Sequence, residues 1–204
     1  MAIPVIAGLL LVLLAAPAAS ADPPHITTAS DELRRTLDQV ITLAQSPSFR
    51  ELEPAQRRTA IRRITDRLFN WSEVAKRAMG PHWSGRSVVE RRRFADGFAA
   101  LAERAYTAPI EQLGTRHVPA DAIRYLGETA SGQDTIVRTV FAYPRELPVD
   151  FAMSKRARQW EVCDVRIDGV SATENYRAQL DRVIATESFP ELVERMTAKK
   201  TSAP

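Results

Sequence analysis

Asp164 and Asp168 lie four residues apart in a strand-like run, and side chains at even spacing on a strand share a face. Two carboxylates on one face are equipment for general acid–base chemistry. Asp168, however, precedes Gly169, and Asp-Gly is a turn signal. The pair therefore splits: Asp168 belongs to a turn, and Asp164 is expected to accept a hydrogen bond from an arginine or from backbone. The three histidines are His25, His82 and His117, and none has another histidine, a cysteine or a close acidic residue at metal-ligand spacing. The chain carries no G-x-S-x-G elbow, P-loop or dinucleotide fingerprint. Cys163, the single cysteine, sits in a hydrophobic run, where a buried inert thiol is expected rather than a nucleophile. No residue is thus assigned to catalysis or to a metal. An enzyme on this chain would have to draw on Asp164, Tyr176 and His82.

Positive charge is clustered in two places. Arg57, Arg58, Arg62 and Arg63 span nearly two turns of one helical stretch, and Arg91 to Arg93 form a run on another. Each is either a solvated face opposite an apolar stripe or a docking surface for a partner or for anionic lipid. The whole chain holds 28 Lys plus Arg against 25 Asp plus Glu, a net charge of +3. That balance does not argue for nucleic acid. It suits approach to anionic headgroups or to an acidic partner surface.

Residues Ile3 to Ala16 are almost wholly apolar but short for a membrane span. Ala19-Ser20-Ala21 follows as an A-x-A cleavage site before Asp22. Residues 1–21 are therefore expected to be a secretory signal peptide, and the protein to be exported to the periplasm. No Lys or Arg precedes the apolar run, so a short membrane anchor or a buried N-terminal helix is the other reading of it. Residues 22–200 then make one domain, with 201–204 as a tail. A lone cysteine gives an exported protein no internal disulfide, so packing has to supply its stability.

The elements that would position these residues change character half-way. Leu33, Leu37, Val40, Ile41 and Ala44 recur on one helix face, with Ser30 expected as N-cap. Pro54 opens a second helix with Ala60, Ile61, Ile64 and Leu68 as its stripe. Asn70 caps a third that ends at Gly80-Pro81. Ser87 and Glu90 form a capping-box pattern before a long helix whose Phe94, Phe98, Leu101, Ala102 and Ala105 share a face. Four strands follow, over Ala122–Leu126, Thr135–Tyr143, Val149–Met153 and Trp160–Ile167, with a turn at Ser131-Gly132 and a basic tip at Lys155 to Arg158. Two more helices carry Tyr176, Leu180, Val183 and Ile184, then Phe189, Leu192, Val193 and Met196 behind Ser188 and Pro190. Short links imply an antiparallel sheet. The expected fold class is α+β: a helical sub-region over about 30–118, then a curved four-stranded antiparallel sheet with helices over about 119–199. Two of the strands are apolar on both faces, Ile136 and Val140 against Val137 and Phe141, and Trp160 and Val162 against Val165 and Ile167. Such a sheet needs cover on both sides. Periodicity does not distinguish a packed core from a lined cavity.

Two blocks carry a resemblance. Trp160 to Ile184, WEVCDVRIDGVSATENYRAQLDRVI, presents Trp160, Asp164, Gly169, Val170, Ser171, Asn175, Tyr176 and Arg177 in a strand–turn–helix order. Upstream, Phe69-Asn70-Trp71 leads through Met79-Gly80-Pro81-His82-Trp83 to Phe94, Phe98 and Tyr106. Both blocks resemble the MlaC, or toluene-tolerance, family of periplasmic phospholipid carriers over roughly Glu32 to Lys199. The resemblance implies a cone similar to nuclear-transport-factor-like folds with extra helices and an apolar cavity. It implies no enzymatic activity and no cofactor, with bound phospholipid as cargo. The implied partners are phospholipid, the lipid-handling subunit of an inner-membrane ABC transporter and an outer-membrane lipoprotein–porin complex, and the implied task is to maintain outer-membrane lipid asymmetry. On this basis the acyl chains are expected between sheet and long helices, lined by Trp83, Phe94, Phe98, Leu101, Tyr106, Phe141, Phe151, Val162, Val165, Ile167 and Val170. Tyr176 and Arg177 are candidates to meet the headgroup, and a packing Tyr and a surface Arg are the alternative. The chain departs from the family pattern at Asn70-Trp71, at Cys163 and at the proline-rich Arg145 to Pro148. A carrier of another apolar ligand of hopanoid type, a non-lipid interaction module, and an enzyme on the same fold remain the other readings.

Overall fold

The computed structural model describes residues 27–113, 118–119, 121–142 and 145–198. The apolar run, the cleavage site, His25, His117, Tyr143, Pro144 and the tail lie outside the described residues. The order of elements is α1 Ala29–Gln45, α2 Pro47–Glu51, α3 Pro54–Leu68, α4 Trp71–Met79, a 3-10 turn Gly80–Trp83, and α5 Val88–Leu113. Strands β1 Ile123–Ser131, β2 Asp134–Phe141, β3 Leu147–Arg156, β4 Gln159–Ile167 and β5 Val170–Ser171 come next, then α6 Ala172–Ile184 and α7 Phe189–Ala198. This is the expected α+β arrangement with one strand more than anticipated.

Side-chain caps set most helix starts. Asn70 Oδ1 accepts from the Glu73 amide at 3.0 Å to open α4. Ser87 and Glu90 close a reciprocal box before α5, with Ser87 N–H donating to Glu90 at 2.8 Å and Glu90 N–H to Ser87 Oγ at 3.3 Å. For α1 the cap is Thr28, not Ser30. Thr28 Oγ1 accepts from Asp31 N–H, and the Asp31 carboxylate accepts from Thr28 N–H, both at 3.1 Å. Ser30 instead donates its amide and its hydroxyl to Glu128 on β1, both at 2.8 Å, and so ties the helix to the sheet. The single turn α2 was not expected; Ser46 caps it and Pro47 begins it.

The sheet is an antiparallel meander in the order β1-β2-β3-β4-β5. The Asp168-Gly169 turn adds β5, pairing Val170 with Ile167. Both turn residues have positive φ, 51° and 79°, as a two-residue hairpin turn requires. One sheet face carries Val137, Phe151, Met153 and Val162 against Ala29, Leu33 and Leu37 of α1 and Leu68 of α3. The opposite face is covered where α4 and α6 meet β4, around Ala152, Cys163 and Asp164. A separate core joins α4 to α7 through Val74, Met79, Phe94, Phe98, Leu180, Phe189 and Leu192. At the α3–α4 junction Asn70 N–H donates to Val162 C=O at 2.9 Å, which closes that stretch of the β4 edge.

A two-pronged ion pair clamps α4 to the start of β2. Arg77 Nη1 and Nη2 donate to the Asp134 carboxylate at 2.7 and 2.9 Å. Hydrogen bonding from Arg77 holds Asp134 below the usual carboxylate range. Burial pushes the neighbouring Cys163 thiol up to about 12, so it stays protonated and donates to the Ala152 carbonyl at 3.1 Å. Because the folded-state value of Asp134 is depressed, its stabilisation is present above the ordinary carboxylate range. That stabilisation is lost as pH falls through the depressed value. Asp134→Asn is expected to lower unfolding stability at neutral pH by about 2 kcal/mol. In denaturant titrations the gap to wild type should shrink below about pH 4; a gap constant down to acid unfolding would refute the assignment.

Candidate functional site

Pairing across β2, β3 and β4 places the side chains of one face in rows, and burial falls from row to row. Met153 and Val162, in the first row, have no exposure, and Trp160 Nε1 seals that end by donating to the Thr27 carbonyl at 2.9 Å. In the next row Val137 is also fully buried and Phe151 is 5% exposed, while Val165 is half-buried. Thr139 and Val149 are buried in the third row, but their neighbour Ile167 is 49% exposed. Phe141 and Leu147 form a half-buried pair at the far end, with the Phe141 ring 6.4 Å from that of Phe151. Val170, paired with Ile167 and on the same face, is 63% exposed. The result is an apolar strip, sealed by α1 at one end and open to solvent at the other.

Tyr125 of β1 extends the strip sideways. The Arg34 guanidinium lies over its ring at 3.9 Å, and its buried hydroxyl has no hydrogen-bond partner among the described residues. Burial pushes that hydroxyl up to about 12, so it remains a donor at neutral pH. Neither Tyr125 nor Leu147 was picked out from sequence. The alternation of β1 around Tyr125 and the apolar start of β3 were the available signals.

The expected lining residues separate into groups. Phe141, Phe151, Val162, Val165, Ile167 and Val170 come together on the strip. Trp83, Phe94, Phe98 and Tyr176 belong to the helical core instead, where Phe98 meets Tyr176 edge-on at 4.9 Å and Phe94 faces Phe189 at 6.1 Å. Leu101 is half-buried on α5. Tyr106 sits between α5 and α3, its hydroxyl 3.0 Å from that of Thr65. Arg177 donates through Nε and Nη2 to the Arg77 carbonyl at 3.0 and 2.6 Å. It presses on Gly80, where a Cβ would come within 2.9 Å of Nε. Its guanidinium therefore closes the C-terminus of α4 rather than facing the open end of the strip.

Asp164 is buried and satisfied by protein donors: Ser171 Oγ donates to it at 2.6 Å and Thr173 N–H at 3.0 Å. Its face is that of Arg166 and Ser171, opposite to the strip. His82 pairs with Asp181 at 2.8 Å. The three polar candidates for chemistry thus stand apart from one another, each with a structural partner. Among the described residues no group of three or more His, Cys, Asp or Glu could hold a metal ion. A shallow external groove between α1 and α3 is lined by Arg35, Asp38, Gln39, Thr42, Leu43 and Ile64, and includes none of the expected residues.

A family model described as MlaC protein matches residues 34–198. The chain belongs to the MlaC family. Comparison with curated protein sequences gave no match. Among solved structures, this MlaC-family chain is similar to the phospholipid-binding protein from Ralstonia solanacearum, determined in complex with a phospholipid. The two are 21% identical and superpose with a TM-score of 0.73 over 85% of this chain and 97% of that one. The likeness extends the family assignment to the fold, with its helical N-terminal half on an antiparallel sheet.

Asp164, Ser171 and Arg177 of the strand–turn–helix block are therefore built into the frame of this MlaC chain. Asp164→Ala strands the Ser171 hydroxyl and the Thr173 amide, and is expected to cost about 3 kcal/mol of stability. Thermal unfolding should show the loss, while the folded fraction retains whatever small molecule it carries. Loss of bound ligand at unchanged melting temperature would instead place Asp164 at the binding site.

Proposed function

We propose that the protein is a soluble periplasmic phospholipid carrier whose cargo tails lie along the apolar strip. The observation that carries this reading is the burial gradient: an apolar sheet face sealed at the Met153–Val162 end and left open at Phe141, Leu147, Ile167 and Val170. An uncovered apolar surface of this kind marks a place for an apolar partner. MlaC membership supports a lipid in that place, and the phospholipid bound to the Ralstonia solanacearum protein is a ligand of the right chemistry.

The energetics explain why such a ligand needs a carrier. Each CH₂ moved out of water is worth about 0.8 kcal/mol. A two-chain phospholipid with roughly 30 methylenes faces a barrier on the order of 20 kcal/mol to leaving a bilayer unaided. Passage from bilayer to an apolar strip exchanges one apolar setting for another and is close to neutral. Direction then has to come from partners: the lipid-handling subunit of an inner-membrane ABC transporter on one side, an outer-membrane lipoprotein–porin complex on the other. The task would be the upkeep of outer-membrane lipid asymmetry. Among the described residues no helix is long and apolar enough to cross a membrane. The headgroup would sit at the exposed rim formed by Ile167 and Val170.

Val170→Glu puts a carboxylate on that rim at a position already exposed, so stability should change by no more than about 0.5 kcal/mol. Native mass spectrometry of the purified protein is expected to show a phospholipid-sized adduct on wild type and none on the variant. Extracting the lipid should lower the melting temperature of wild type, since a ligand bound only to the folded state stabilises it. A bare polypeptide mass for wild type, with no change on extraction, would overturn the carrier reading.

A further inference from the structure

Val88 is 80% exposed, the most of any large apolar side chain among the described residues, and Val89 beside it is 61% exposed. Both stand in the first turn of α5, where they leave two aliphatic side chains in water with no packing return. Arg92 and Arg93 follow at three and four residues' distance, one turn behind on the same side of the helix. Both are exposed and have no ion-pair partner among the described residues. Arg86 flanks the other side, its guanidinium 4.3 Å from the centre of the Phe189 ring and 3.9 Å from Glu90. Arg91 turns inward and braces the corner, donating to the Trp83 and Ser84 carbonyls at 3.0 and 2.8 Å. Of the acidic residues nearby, Glu90 is held by Ser87, and Asp96 lies a further turn along.

A rigid aliphatic tip with guanidinium groups one turn behind it fits the boundary of a lipid leaflet. Aliphatic side chains enter the acyl edge while arginines stay at phosphate depth. A protein interface would more commonly centre on aromatic anchors. We propose that the N-terminal turn of α5, through Val88, Val89, Arg92, Arg93 and Arg86, is a contact site for the surface of a bilayer containing anionic phospholipid. The site is separate from the apolar strip. Helix α6 starts beside the Val170 rim at its cap Ser171 and reaches His82, near the tip, at Asp181, about 15 Å further along the helix axis. A molecule held at the tip therefore keeps its rim free, and this site does not rest on the cargo assignment.

Vesicle flotation tests it, using purified protein with vesicles of phosphatidylcholine alone and of phosphatidylcholine mixed with phosphatidylglycerol. Wild type should float with the anionic vesicles only, and added salt should release it. Arg92→Gln/Arg93→Gln should weaken binding about fivefold for each arginine removed, and Val88→Ser/Val89→Ser by a similar factor. A polarity-sensitive dye on Val89→Cys should shift to the blue on anionic vesicles; the buried Cys163 thiol does not compete for the label. Equal flotation with both vesicle types, wild-type binding by the arginine variant, or a dye that stays in water would each overturn the proposal. So would a dye shift that appears only on adding a protein partner. Native mass spectrometry of the same samples separates the two questions: cargo retained by a wild type that ignores anionic vesicles sinks the tip site alone, and missing cargo in a wild type that floats sinks the carrier reading alone.

Discussion

A carboxylate taken out of water has to be solvated by the protein, and Asp164 is the place where this chain meets that requirement. Its two acceptor bonds come from Ser171 and Thr173, the residues that begin α6. One buried charge therefore fixes the junction of β4, β5 and α6. From there the rest of the helical layer is placed: Tyr176 reaches Phe98 on α5, and Arg177 reaches the end of α4 at Arg77 and Gly80. Arg77 in turn grips Asp134 on β2. The sheet and the α4–α7 core, which meet where α4 and α6 cover β4, are thus also joined by directional polar bonds. Such bonds are individually modest, but expensive to leave unmade.

The second constraint is the strip itself. Folding gains free energy for every apolar side chain removed from water, and a sheet with one such face ordinarily covers it completely. Here the cover stops short. The half-buried Phe141, Leu147 and Val165 and the exposed Ile167 and Val170 represent stability left unrealised in the bare chain. An apolar ligand lying on them would recover that deficit, and occupancy would then be coupled to stability in the manner of any ligand that binds only the folded state.

Much of the fold was legible in the residues. Asn70, and Ser87 with Glu90, cap helices where local chemistry placed them. The Asp168-Gly169 turn was also legible, but not the two-residue strand it creates, because a strand that short has no period to read. Ser30 was mistaken for the α1 cap since Thr28 and Ser30 carry the same signal, and only the distant Glu128 decides between them. The site was less legible. Helical spacing shows that Phe94 and Phe98 are buried, but not against what; their neighbours prove to be α6 and α7 rather than the sheet. Arg177 is ambiguous for a related reason, because a guanidinium that closes a helix end has the same sequence signature as one that meets a phosphate. Strand alternation served better, since register with a neighbour fixes which face a side chain shares.

The β1 strand bears on the behaviour of an incompletely covered protein. It is the first strand in the sheet order, and its outer edge pairs with no other strand among the described residues. Between Tyr125 and Gly127 its register with β2 slips, leaving Leu126 as an extra residue and Gly127 at a φ of 111°. A kinked edge offers no straight row of amides and carbonyls for another chain to copy. Arg124 and Glu128 place a charge on each side of the kink. Molecules crowded together while their apolar strips stand empty are in this way denied the simplest route to a shared sheet.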